Sequence, residues 1–174
     1  MIGNRTFCEE CRKDVPFNVV EKQMSGVLKG EQYEYSGEAA ICTDCGSEVY
    51  VAVIEDNNLK ALYDAYRKHH SIISLENILE LSEKYGIGKR PLSLLLGWGE
   101  MTLSRYCDGD IPTKQYSAIL QQLYDDPSYY RGLLETHKKN LKSDLAYERS
   151  KRVTDDLLGK IENPRSKLDV IIRK

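Results

Sequence analysis

The spacing of apolar positions changes character near residue 55. Before that point short runs rich in β-branched residues and Tyr prevail, and no long helical pattern appears ahead of Asp56. Val19 to Val27 and Gln32 to Ala40 read as strands, with Lys29-Gly30-Glu31 as the turn between them, and Glu48 to Ile54 (EVYVAVI) reads as a third strand. Beyond it the apolar period becomes helical. Asp56-Asn57-Asn58 caps a helix from Leu59 to about His69, with Leu59, Leu62, Tyr63 and Tyr66 on one face.

From Ser74 onward the pattern predicts a series of short helices. Ser74 caps one from Leu75 to Tyr85, with Leu75, Ile78, Leu79 and Ser82 at helical spacing, and Gly86 and Gly88 end it. Arg90 to Leu96 is a second, very apolar helix with Pro91 in its first turn. Gly97-Trp98-Gly99 turns the chain into a third helix, Glu100 to Asp108, which Gly109 closes. A fourth starts at Pro112-Thr113 and stops at Asp126-Pro127, and a fifth runs from Ser128 to about Lys139. Lys142 to Ile161 is a long polar helix with sparse apolar positions, stopped by Asn163-Pro164, and Ser166 to Lys174 are too few to fold alone.

The cysteines change this picture most. Cys8-x-x-Cys11 and Cys42-x-x-Cys45 are separated by thirty residues, and Gly46 follows directly. Two such turns present two thiolates each, and together they complete a tetrahedral four-sulfur shell that suits one structural zinc ion. A redox dithiol opens a helix in a βαβ context, which this region lacks. A closed four-thiolate site leaves no position for a substrate water, and a module this small needs the metal to fold. Cys107 stands apart as a packing or surface position. No run of about 18 apolar residues is available to span a membrane. Met1 to Thr6 has no secretory pattern, so a cytoplasmic protein with reduced thiols is expected. The formal net charge of −2 exerts no global pull on nucleic acid.

The fold class expected is therefore α+β. Residues 1–55 form a β-rich zinc-binding module and 56–73 a helical connector. Residues 74–139 form an all-α helix-turn-helix domain, and 140–174 a C-terminal helical tail. In a helix-turn-helix the second helix braces a third that lies in the DNA major groove. Here Arg90 to Leu96 is the brace and Glu100 to Asp108 the candidate recognition helix. Leu95, Leu96 and Leu103 pack between them, leaving Met101, Thr102 and Arg105 facing out.

The segment GWGEMTLSRYCDGDIP resembles the recognition segment of Xre/Cro-type helix-turn-helix proteins, through Ser104-Arg105-Tyr106, Asp108, Gly109 and Pro112. Ile119-Leu120 through Asp126-Pro127 is similar to the helix and stop that follow it in that family. A two-CxxC module placed before such a domain resembles MqsA-type antitoxins of bacterial type II toxin–antitoxin systems, over roughly residues 5–136. The resemblance implies a homodimer that binds a palindromic operator in double-stranded DNA, represses its own operon and holds a cognate toxin. It assigns base reading to Arg105. The family's amide-bearing Asn aligns with Met101, which cannot make the bidentate adenine contact, and Cys107 stands where Glu is frequent.

On chemistry alone, Arg105 can fork onto guanine O6 and N7 or remain a solvated arginine. Thr102 and Ser104 can donate to phosphates, as can the amides of Gly99 and Glu100 at a helix N-terminus. From Leu75 to Asp125 acidic residues outnumber basic ones, so Lys89, Arg90, Arg105 and Lys114 are the candidates for counterion release. A later basic stretch, Lys138, Lys139, Lys142, Arg149, Lys151 and Arg152, is either a solvated face or a second contact. Tyr116, Leu123, Tyr124, Tyr129, Tyr130 and Leu133 serve either as a dimer surface or as core. His69, His70 and His137 sit in no recognised catalytic motif, and no P-loop, GxSxG or HExxH is present, so an enzyme is not expected. In the family it resembles the zinc module often holds the toxin, which would make the strand Glu48 to Ile54 a candidate pairing edge. The alternatives to an antitoxin are a zinc-dependent protein–protein adaptor and a phage or mobile-element regulator without a toxin.

Overall fold

The computed structural model describes residues 5–162. They form two units, the first ending at Ser71 and the second beginning at Ile72. The first is an antiparallel sheet of four strands in the order β1-β2-β3-β4 with a helix on it; the second is helical. The α+β expectation holds. The expected stop at Asn163-Pro164 and the segment Ser166 to Lys174 lie outside the described residues.

The sheet is built around one long hairpin. Strand β2 (Lys13–Leu28) pairs with β3 (Glu31–Cys42) continuously from Phe17 opposite Cys42 to Leu28 opposite Glu31. The turn between them contains only Lys29 and Gly30, both at positive φ (52° and 86°). Two positive φ values in a two-residue loop match the right-handed twist of the flanking strands. Strand β1 (Arg5–Cys8) covers only Lys13 to Pro16 of β2, so Pro16, which lacks an N–H, lies where β2 changes partner. Strand β4 is only Glu48–Val49.

The third expected strand is thus mostly absent. Ala52 to Ile54 instead open helix α1 (Ala52–His69), seven residues earlier than the expected start at Leu59 and with Val51 rather than Asp56-Asn57-Asn58 at its N-cap. Burial decides against the β-branched composition. Ile54, Asn58 and Leu62 recur every four residues, and all three are buried. Leu59, expected on the buried face, is 54% exposed. Asn58 secures the helix to the sheet, accepting from Glu38 N–H and donating to Glu38 C=O, each at 2.8 Å. The helix comes so close that a Cβ on Gly37 would lie 2.7 Å from Asn58 Oδ1. Most of the stretch expected as a helical connector, residues 56–73, is helix and forms the layer that covers the sheet.

The second unit comprises α2 (Leu75–Lys84), α3 (Lys89–Leu95), α4 (Thr102–Cys107), α5 (Lys114–Asp125), α6 (Pro127–Thr136), a 3-10 turn at Lys138–Asn140 and α7 (Asp144–Glu162). Three side chains cap these helices: Ser74, as expected, accepts from Asn77 N–H, Thr113 from Tyr116 N–H, and Asp126, expected as a helix stop, from Ser128 and Tyr129 N–H. The apolar core contains Ile78, Leu81, Tyr85, Leu92, Leu95, Leu103, Leu120, Leu123, Tyr130 and Leu134, each without exposed surface. On α2 the buried face is Ile78 and Leu81, leading to Tyr85; Leu79 is 46% exposed, against expectation.

Helix α7, the C-terminal helical tail of the expectation, packs into the second unit. Tyr147 belongs to the core, and Ser150 and Thr154 are fully buried. The Tyr130 hydroxyl lies 2.6 Å from Ser150 Oγ, which donates to Tyr85 C=O at 2.8 Å, and the Tyr85 and Tyr130 rings stack at 3.7 Å. Arg131 on α6 reaches Asp155 on α7 at 2.5 Å. The sparse apolar pattern of α7 conceals a buried face made of hydroxyls. Replacement of Ser150 by Ala leaves the Tyr85 carbonyl without its donor and is expected to destabilise the second unit by about 1–3 kcal/mol in urea unfolding; a change near zero would show that α7 is peripheral.

Candidate functional site

The base of the hairpin brings the four cysteines together. Cys8 ends β1, and Cys11 lies in the loop that returns to β2; Cys8 pairs with Lys13 across it. Cys42 ends β3, and Cys45 follows in a second loop closed by Cys42 N–H to Ser47 C=O at 2.8 Å and Gly46 N–H to Cys42 C=O at 3.0 Å. Left-handed residues turn each loop, Arg12 (φ 51°) in one and Gly46 (φ 77°) in the other. Backbone amides face sulfur in both: Cys11 N–H donates to Cys8 Sγ and Asp44 N–H to Cys42 Sγ, each at 3.4 Å.

The four Sγ atoms lie within 4.8 Å of one another. Cys8 and Cys45 are 3.6 Å apart, and Cys11 and Cys42 are 3.9 Å apart. Sulfurs bound tetrahedrally at about 2.3 Å are separated by about 3.8 Å, so the cluster is compatible with one metal ion such as zinc. All four are free thiols rather than disulfides. The surroundings divide them. Ser47 Oγ, 2.9 Å from Cys45 Sγ and 3.4 Å from Cys8 Sγ, favours the thiolates and brings Cys8 down to about 6; Cys45 is lowered by the same residue. Cys11, hydrogen-bonded to Cys45 and desolvated, is pushed up to about 12. A Lys13–Asp44 ion pair at 2.8 Å joins the two loops at the surface.

A small apolar cluster abuts the sulfurs: Val15, Phe17, Ala40, Val49 and Ile54. The sequence signalled the ligands but not Ser47, whose only mark was its place two residues after a ligand.

The residues expected at a DNA surface occupy one stretch of the second unit and its neighbouring helix starts. Ser93 Oγ, buried on α3, accepts from Leu103 N–H at 3.0 Å and fixes the start of α4. Leu95 and Leu103 are fully buried between α3 and α4, and Leu96 is partly buried. Met101 is 63% exposed, the Arg105 side chain is 70% exposed, and Thr102 and Ser104 are half-buried. Trp98 in the preceding turn stacks on Tyr116 of α5 at 4.3 Å, and Tyr106 is buried edge-on to both rings.

Some details depart from expectation. Helix α4 starts at Thr102, so Gly99 and Glu100 precede it rather than form its first turn. Glu100 holds Arg90 and Lys142, each at 2.6 Å, and these cations, Lys142 first, keep its carboxyl below the ordinary range. Arg90 is thereby paired at the surface while remaining 61% exposed, and Lys89 and Lys114 are exposed as well. Arg105 contacts Asp110 at 2.9 Å. Leu123 and Tyr130 of the proposed dimer surface are core, and Cys107 is buried, its thiol raised by desolvation. No helix is long and apolar enough to cross a membrane among the described residues.

Neither the family models nor the curated proteins with which the chain was compared match it.

Metal binding at the cysteines is expected to depend on pH. Cys11 carries its proton throughout the neutral range, so each ion bound displaces at least that proton. The apparent affinity for zinc, measured against a competing chelator, should rise by about one decade or more per pH unit from pH 7 to 8 and steepen below about pH 6, where Cys8 is also protonated. A flat profile would contradict thiolate ligation.

Proposed function

We propose that this protein is a sequence-specific DNA-binding transcriptional repressor, with one zinc ion held by Cys8, Cys11, Cys42 and Cys45, and that it acts as the antitoxin of a toxin–antitoxin pair. The observation that carries the DNA reading is the division of residues on α3 and α4. Leu95, Leu103 and Tyr106 are locked into the core while Arg105 and Met101 project from it. A short helix held by its neighbour, with a long exposed arginine on its outer face, is suited to a major groove. Arg105 supplies the bidentate donor for guanine, and release of its weak surface pair with Asp110 costs little. Lys89 and Lys114 supply phosphate contacts. Few basic side chains lie beside α4, so few condensed counterions are displaced from the DNA and a shallow salt dependence follows. The antitoxin role, the operator palindrome and the homodimer rest on the resemblance to zinc-finger Xre-type antitoxins.

A second reading, a zinc-dependent adaptor, has its own support. From Phe17 on, β2 has no strand on its outer edge among the described residues, and Val19, Val20 and Val27 are 50%, 42% and 69% exposed. Such an edge accepts an added strand. It replaces Glu48 to Ile54 as the pairing edge, because that segment is two residues of strand followed by helix.

Selection from random double-stranded DNA separates the readings. Zinc-loaded protein is expected to enrich a palindrome, and Arg105→Ala to lose about ten- to a hundredfold in affinity for it with relaxed preference at one base position. Failure of folded protein to enrich any sequence at low salt would remove the repressor and leave the adaptor.

A further inference from the structure

The two-residue turn at the hairpin tip delivers Glu31 to the first position of β3, and α1 ends there with His69 and its cap residue His70. A Glu31 carboxylate oxygen and one ring nitrogen from each histidine lie within 4.8 Å of one another. His70 Nε2 is 3.1 Å from Glu31 Oε2. Ligands held tetrahedrally at about 2.0–2.2 Å stand about 3.3–3.6 Å apart, so the three donors need only small rotations to share an ion.

The surroundings hold these side chains in place. The Tyr33 hydroxyl donates to Glu31 and lies 2.8 Å from His70 Nε2. The Tyr66 ring packs on His70 at 4.3 Å, and the two imidazoles stand nearly perpendicular, 5.0 Å apart. With the Tyr33 proton used on Glu31, the His70 tautomer protonated at Nε2 donates toward Tyr33 and Glu31. Moving that proton to Nδ1 turns an Nε2 lone pair toward the same carboxylate. The negative end of an eighteen-residue helix adds a field that favours a cation. Lys29 is drawn over the Tyr66 ring, 4.9 Å from its centroid, and of the two cations before His69 in the last turn of α1, Arg67 and Lys68, Arg67 is buried and paired with Asp64.

We propose that Glu31, His69 and His70 form a second metal site, for a divalent transition-metal ion of the zinc class, with a coordination position open to solvent. Two imidazoles and a carboxylate are borderline donors suited to zinc, nickel or copper. They differ in kind from the four sulfurs at the opposite end of the hairpin. An ion here ties the hairpin tip to the last turn of α1, and its open position accepts water or a donor atom from a partner.

The test is a zinc titration of the full chain, with bound metal counted after equilibrium dialysis and Co²⁺ used in parallel as a spectroscopic probe. Wild type is expected to bind two ions, of which only one shows a thiolate-to-cobalt charge-transfer band. His70→Ala and Glu31→Gln are each expected to lose the ion without that band and keep the other, whose retention also reports that the hairpin is folded. A wild type that stops at one thiolate-bound ion, or a second ion that persists in both variants, would overturn the proposal. A histidine-dependent ion without any thiolate band would leave this site standing and sink the cysteine site instead.

Discussion

The crowding of four sulfurs at the base of the hairpin is the constraint from which the first unit follows. Thiols 3.6 Å and 3.9 Å apart have little reason to converge for their own sake, since each thiolate formed there repels the next. A shared cation would reverse that repulsion and fix the ends of β1 and β3 together with the loops that follow them. The apolar residues beside the sulfurs, Val15, Phe17, Ala40, Val49 and Ile54, are too few to hold a long hairpin alone. Farther along the hairpin the fold depends on α1, where the Asn58 amide meets Glu38 N–H and C=O and so does the work of a neighbouring strand.

The second unit is held differently. Its core is apolar and extensive, and a buried polar chain runs through it from Tyr130 to Ser150 to the Tyr85 carbonyl. Every member is satisfied, which is the condition under which a buried polar group orders a core rather than weakening it. The aromatic stack of Trp98 on Tyr116 fixes the turn before α4. The exposed positions of α4 are those left over once Leu103, Tyr106 and Cys107 have been claimed by the core, so packing requirements determine which side chains α4 offers outward.

Much of this was legible in the sequence, for identifiable reasons. The two CxxC turns, the Ser74 cap and the breaks at Pro112-Thr113 and Asp126-Pro127 are local signals, and local chemistry is what a sequence displays directly. The helix starts were misread where a distant partner decided the outcome. EVYVAVI has the composition of a strand, yet Ile54 belongs with Asn58 and Leu62 on a helical face turned toward the sheet. Helix α7 looked solvated because, apart from Tyr147, its buried positions are Ser150, whose partners Tyr130 and Tyr85 lie outside the helix, and Thr154, which bonds back to the Ser150 carbonyl. The cluster of Glu31 with His69 and His70 has no spacing to betray it, since its members are brought together only when α1 lies along β3.

The claim that organises the first unit is that one metal ion is bound by four sulfurs. Metal-edge X-ray absorption on protein given one equivalent of zinc addresses it most directly. The account predicts a first shell of four sulfur scatterers at about 2.3 Å and no nitrogen or oxygen. A shell containing imidazole or oxygen ligands, with fewer sulfurs, would contradict it.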